Sequence, residues 1–255
     1  MTKLLKTETT VVRAEEGIII EEEEGDLQRY DLPTMIVFDL DDCLWTPEMH
    51  ELYEMPSIPI QGNLNPDHET KASSSSRKQP RRTAKRKLNA SNSKANLRAD
   101  DTTEIGTVGM RVPGTSQIVY LYDGARRALR EIALDEKYSN VLIAVASSSL
   151  EPTYSHQCLN HIEIIPGVTM RDIFDFDEIG RTGHLTSRKT THFESLHRRS
   201  HVPYEEMLFF DDCNWADHVQ DVGESFGVVG VRTPNGLQID EFHAGLDKFR
   251  KSIQE

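Results

Sequence analysis

Asp39 and Asp41 stand one residue apart at the end of the apolar run Met35-Ile36-Val37-Phe38. Carboxylates so placed suit a hard divalent cation, and a carboxylate beside such a cation can attack phosphorus. A strand sends successive side chains to opposite faces, so the two acids converge only if the chain curls just after Asp39. Other polar groups follow other apolar runs. Ser147 and Ser148 come after Val141-Leu142-Ile143-Ala144-Val145-Ala146, and Asp211 and Asp212 come after Met207-Leu208-Phe209-Phe210. Lys189 lies between these runs, ahead of His192, Phe193 and Leu196 in a stretch with helical character. If the strands are parallel neighbours, their ends face one crevice, which is where open α/β sheets bind ligands. The acids then supply oxygen ligands suited to Mg2+, a serine hydroxyl and nearby N–H groups hold a phosphoryl oxygen, and the lysine offsets charge on phosphate and carboxylate. Phosphoryl transfer needs mainly positioning and charge stabilisation, and this set provides both.

The elements that must position these residues alternate strand and helix. Ile118-Val119-Tyr120-Leu121 reads as a short strand, and Ala125, Ala128, Leu129, Ile132 and Ala133 recur at helical spacing. Phe226 to Val231 reads as a further strand, Trp215 to Val222 as a short helix, and Ile239 to Ile253 as a closing amphipathic helix. The expected fold is α/β: a Rossmann-like three-layer sandwich with a central parallel sheet, over residues 33–56 and 109–255. Residues 1–32, with the acidic run Glu21 to Glu24, read as a disordered N-terminal extension. Residues 57–108 read as a Ser/Lys/Arg-rich disordered insertion. From Lys71 to Asp100 there are ten Lys or Arg and one acid, with too little apolar surface to offset the entropy of ordering. The basic clusters Arg77-Lys78, Arg81-Arg82 and Lys85-Arg86-Lys87 leave open a nuclear-import signal or an anion-binding arm.

The net charge of −13, from 42 acidic and 29 basic residues, argues against nucleic-acid binding by the protein as a whole. Cys43, Cys158 and Cys213 are too few and too scattered for a disulfide framework or a zinc set, which fits a reducing compartment. No apolar run approaches the ~20 residues of a membrane helix, and the opening residues lack the long apolar segment of a secretory signal. The expectation is a cytoplasmic monomer acting on a phosphorylated small molecule or protein, with no membrane partner and with nuclear entry left open.

The order Asp39-x-Asp41, Ser147, Lys189, Asp211-Asp212 resembles the haloacid dehalogenase superfamily of phosphatases. Phe38-Asp39-Leu40-Asp41 with Leu44-Trp45, Val145-Ala146-Ser147, Lys189-x-x-His192-Phe193-Glu194, Phe209-Phe210-Asp211-Asp212 and Asn235-Gly236-Leu237 make it most similar to the eukaryotic magnesium-dependent phosphatases. That resemblance implies a minimal or absent cap and a Mg2+ cofactor. It implies Asp39 as nucleophile and metal ligand, Asp41 as acid and base, and Ser147 on a phosphoryl oxygen. Lys189 would steady both Asp39 and the phosphate, and Asp212 would bind the metal, with Asp211 in support. Asp41 is carried as a fourth candidate in the metal set. The implied substrates are phosphate monoesters, including phosphotyrosyl proteins and phosphorylated sugars on proteins. Two departures stand out. Cys43 occupies a position where the family usually has Thr, and Ser148 one where it often has a phosphate-clamping Arg. Arg111 or an arginine of the basic tract is the candidate replacement. These departures keep open a catalytically weak binding or scaffold protein on the same fold. A phospho-accepting receiver domain places its acidic pair first and its lysine last, an order this chain does not have. Trp45 reads as packing at the pocket wall, or as a surface on which a ligand stacks.

Overall fold

The computed structural model describes residues 32–65 and 104–254. Five parallel strands form the central sheet, in the order β11-β10-β1-β6-β9. They are β1 (Met35–Phe38), β6 (Leu142–Ser147), β9 (Phe176–Ile179), β10 (Met207–Asp211) and β11 (Val229–Arg232). The three inner strands are continuous apolar runs because helices cover both faces of the sheet.

The pleat divides each strand between two cores. Met35 and Val37, Ala144 and Ala146, and Met207 and Phe209 pack under α4 (Lys189–Ser200) and α5 (His218–Phe226), against Phe193, Leu196, Val219 and Val222. Their neighbours Ile36 and Phe38, Ile143 and Val145, and Leu208 and Phe210 face the other way. There they meet α1 (Asp123–Leu134), α2 (Pro152–His161) and α6 (Ile239–Ser252) through Leu129, Leu159 and Phe242. This is the three-layer α/β sandwich expected from the alternating pattern. β1 sits in the middle, with Phe38 level with Val145 on one side and Phe210 on the other. The residues that follow these three strands therefore emerge side by side.

A second, antiparallel sheet runs β2 (Trp45–Thr46), β5 (Ile118–Leu121), β4 (Ile105–Arg111), β3 (Ile58–Asn63). It changes two expectations. Ile118–Leu121 is a strand, but it belongs to this sheet and not to the parallel one. Both ends of the tract drawn as a disordered insertion, 57–108, are strands. Their isoleucines, Val108 and Met110 line a pleated pair, whereas the composition of the whole tract is dominated by its basic middle. Buried Arg126 of α1 ties this sheet to the body, donating to the carbonyls of Val108 at 3.0 Å and Glu163 at 2.9 Å. The basic clusters of residues 66–103 and the acidic extension up to Asp31 lie outside the described residues.

The short helix expected from Trp215 begins instead at His218. Asp217 caps it by accepting from Gln220 N at 3.1 Å, which leaves Trp215 in the preceding loop. Among the described residues no helix is long and apolar enough to cross a membrane.

Because Asn63 pairs with Ile105, a short turn is enough to close β3 onto β4. Replacing residues 66–103 by a four-residue Gly/Ser linker is expected to leave the far-UV circular dichroism of the sheets and the cooperative melt intact. A melting temperature lowered by more than a few degrees would show that the segment helps hold the fold.

Candidate active site

The chain curls as soon as β1 ends. The N–H groups of Cys43, Leu44 and Trp45 all point at the carbonyl of Leu40, at 3.3, 2.8 and 3.1 Å. Asp42 takes the left-handed backbone (φ 53°) that Asp tolerates better than most residues. Cys43 is fully buried at this turn, with its Sγ 3.6 Å from the carbonyl of Phe210 and 3.4 Å from the hydroxyl of Thr233. Burial raises its pKa well above the usual thiol range, so it is a packing residue that pins the turn to the end of β10.

Asp39 continues the face of Met35 and Val37, and Asp211 that of Met207 and Phe209, so both acids lie on the side of α4. Lys189 opens that helix. Its Nζ is 2.6 Å from Asp39 Oδ1 and 3.0 Å from Asp211 Oδ2, and it donates to the carbonyl of Ala146 at 2.7 Å. Its Nζ lies over the ring of Phe209, 5.8 Å from the centroid, and only 2 % of the residue is exposed. The backbone N–H groups of Cys213 and Asn214 donate to Asp211 Oδ1 at 2.8 Å and Asp212 Oδ2 at 2.9 Å, fixing both carboxylates of the acidic pair.

Oxygens of Asp39, Asp211 and Asp212 lie within 4.8 Å of one another. One ammonium, in contact with two of them, therefore stands against three buried carboxylates. Burial, only partly countered by Lys189, raises the pKa of Asp39. Burial, and then the charges of Asp39 and Asp211, push Asp212 up to about 8. Burial is the main cause of both shifts and the neighbouring carboxylates add to it; a hard divalent cation ligated by these oxygens would favour their ionised forms.

Asp41 does not join that set, contrary to its placement among the metal ligands. Its Oδ1 accepts the indole N–H of Trp45 at 2.7 Å, and burial pushes its pKa up to about 7. Trp45 is fully buried, so it positions Asp41 and offers no face to a ligand.

All of these acids open onto one cleft of about 390 Å3, shared with Ser147, Ser148 and Lys189. Asp39, Asp41, Ser147, Ser148, Lys189, Asp211 and Asp212 thus border a common cavity. Arg111, on β4, does not line it, and neither does any other residue of β3 or β4, so the second sheet forms no roof. The cleft is also lined by residues that the sequence reading did not place at the site: Arg181, Arg188, Glu48, His50, Trp215 and His218. Trp215, 77 % exposed, donates its indole N–H to Glu48 at 2.9 Å, and the edge of its ring meets His50. The second aromatic beside the phosphoesterase motif is the one available for stacking, and no spacing rule marks it out.

His192 is structural. Its Nε2 lies 3.1 Å from the carbonyls of both Ser147 and Gly180, so Nε2 carries the hydrogen and ties the end of β6 to the loop after β9. Burial lowers its pKa to about 4.

The family described as Acid Phosphatase matches residues 114–252, and the chain belongs to it. Magnesium-dependent phosphatase 1 of Homo sapiens is 28% identical over 109 residues, which is 43% of this chain and 54% of that protein. A HAD-like hydrolase superfamily protein of Schizosaccharomyces pombe is 29% identical over 86 residues, 34% of this chain and 49% of that protein. The chain spans about half the length of these curated relatives. The crystal structure of CbbY from Rhodobacter sphaeroides in complex with phosphate aligns with a TM-score of 0.43 at 16% identity, over 85% of this chain and all of that one. The likeness to haloacid dehalogenase hydrolases drawn from the order of the motifs is borne out.

Two outcomes follow from the site's geometry. Trp45→Phe removes the only donor held on Asp41 Oδ1 by an indole, and it is expected to lower kcat about tenfold with little change in KM. A change confined to KM would assign Trp45 to ligand binding instead. For His192, the folded pKa lies below the usual 6.5, so between pH 6.5 and 4 the unfolded chain binds a proton that the folded one refuses. Stability is therefore full above pH 6.5 and falls as the pH drops. Urea denaturation is expected to show the wild type losing on the order of 3 kcal/mol relative to His192→Gln across that window. Parallel pH profiles would contradict a neutral, buried ring.

Proposed function

We propose that this chain is a Mg2+-dependent phosphatase that hydrolyses phosphate monoesters through an aspartyl-phosphate on Asp39. The observation that carries the reading is the buried Lys189 ammonium, shared between Asp39 and Asp211, beside a third carboxylate and at the floor of an open cleft. Asp39, Asp211 and Asp212 are the residues that would hold the ion. Once bound, Mg2+ would balance their excess charge and polarise phosphoryl oxygens. The match to the acid phosphatase family and to a relative named for magnesium dependence supports both the reaction and the choice of metal.

The rest is the work of side chains. Lys189 holds the Asp39 carboxylate in one orientation, and the serine hydroxyl of Ser147 holds a phosphoryl oxygen. Asp39 attacks phosphorus as the bond to the leaving oxygen breaks, and Asp41 gives that oxygen its proton. Asp41 then takes a proton from the water that attacks the phosphorus of the aspartyl-phosphate, and the bond to Asp39 breaks. A carboxyl pushed up to about 7 suits both jobs, because its two protonation states are near balance at neutral pH. The cleft, which the second sheet does not cover, and Trp215, exposed among the described residues, favour phosphate on a large group, such as a phosphotyrosyl protein or a phosphorylated sugar on a protein.

Phosphate release from p-nitrophenyl phosphate, with and without Mg2+, tests this. The wild type is expected to turn over only with Mg2+, and Asp39→Asn to fall by about a thousandfold or more. Equal rates for the two proteins would end the enzyme reading.

A further inference from the structure

The floor of the cleft is built from carboxylates, and a phosphate ester enters it as an anion. Lys189 is already divided between two acids and a carbonyl. The end of β6 and the loop after it bring only uncharged residues to the cleft, Ser147, Ser148 and Ser149 among them. A cation reaches that place from a different loop. Gly180 follows β9 with φ +102°, a conformation that favours glycine, and a Cβ there would press on the Pro152 ring at 3.2 Å. That backbone lets the loop lie against the one after β6. Three contacts hold it there: Gly180 N–H to the Ser147 carbonyl at 2.8 Å, and His192 Nε2 to the carbonyls of Ser147 and Gly180. The next residue, Arg181, turns its side chain back and donates Nε–H to the carbonyl of Ser148 at 2.8 Å.

A guanidinium has five N–H donors in one plane, and this bond uses one of them. Among the described residues nothing engages the Nη groups of Arg181, and the residue lines the same cleft as Asp39, Ser147 and Lys189. We propose that Arg181 is a binding residue of this site, its Nη groups gripping the phosphoryl group beside Ser147. The bond to Ser148 orients the fork, so that less freedom is lost when the anion is bound. Planar, two-pronged recognition of phosphate is the chemistry to which arginine is best suited.

This rests on the phosphatase reading, but it can be tested without turnover. Inorganic phosphate is titrated into the full-length protein by calorimetry in the presence of Mg2+, for the wild type, Arg181→Ala and Arg111→Ala. Arg111 is a charge-matched control on β4, outside the cleft. Arg181→Ala is expected to weaken phosphate binding about tenfold and Arg111→Ala to leave it within twofold. With p-nitrophenyl phosphate the Arg181 loss should fall mainly on KM and not on kcat. Unchanged phosphate affinity in Arg181→Ala, or an equal loss in Arg111→Ala, would overturn the assignment. If Asp39→Asn keeps wild-type turnover, the phosphatase reading fails separately, and the phosphate titration still decides what Arg181 does.

Discussion

Lys189 Nζ, buried at the first turn of α4, is the point from which the site is organised. It is pulled toward Asp39, Asp211 and the carbonyl of Ala146, three groups carried by the ends of the three central strands. A buried ammonium is tolerated only when its donors are satisfied, and here every partner comes from a different strand. The parallel sheet brings those ends level, the pleat turns Asp39 and Asp211 to the same face, and the α4 helix delivers the cation over Phe209. Removing the lysine would leave two buried carboxylates facing each other, which is why the fold and the chemistry depend on the same contact.

The single ammonium also leaves a charge surplus. Asp39, Asp211 and Asp212 crowd together, and burial first and that crowding second raise the pKa values of Asp39 and Asp212. A second cation, as proposed, would resolve the surplus. Asp41 escapes this crowd. The tight turn about Leu40 hands its carboxylate to Trp45, which in the proposed mechanism separates the proton-exchanging group from the acids that stay ionised.

Much of this was legible in the sequence because it is local or periodic. Apolar runs ending in Asp39, Ser147 and Asp211 announced buried parallel strands, and the spacing after Lys189 announced a helix. What the sequence did not disclose is long-range or non-periodic. Ile118–Leu121 has the composition of any short strand, and only its partners show that it joins the antiparallel sheet. The ends of the basic tract were masked by the average of its middle, although Ile58, Ile60 and Val108 are ordinary strand residues. β9 carries Asp177 and Glu178, acids that an edge strand can accommodate and that break an apolar pattern. Trp45 is a packing residue, the first of its two readings, and burial rather than composition separates it from the exposed Trp215. Arg181 was invisible for a similar reason: its position depends on the backbone of Gly180 and on a neighbouring loop, neither of which has a spacing rule.

The central claim is that three acids and one lysine form an incomplete charge balance that a divalent ion completes. Thermal unfolding against Mg2+ concentration measures this directly. The melting temperature of the wild type should climb with added Mg2+ through the millimolar range, as binding to the folded state requires, and that of Asp212→Asn should stay nearly flat. A wild-type melting temperature indifferent to Mg2+, or a variant that climbs as steeply, would contradict it.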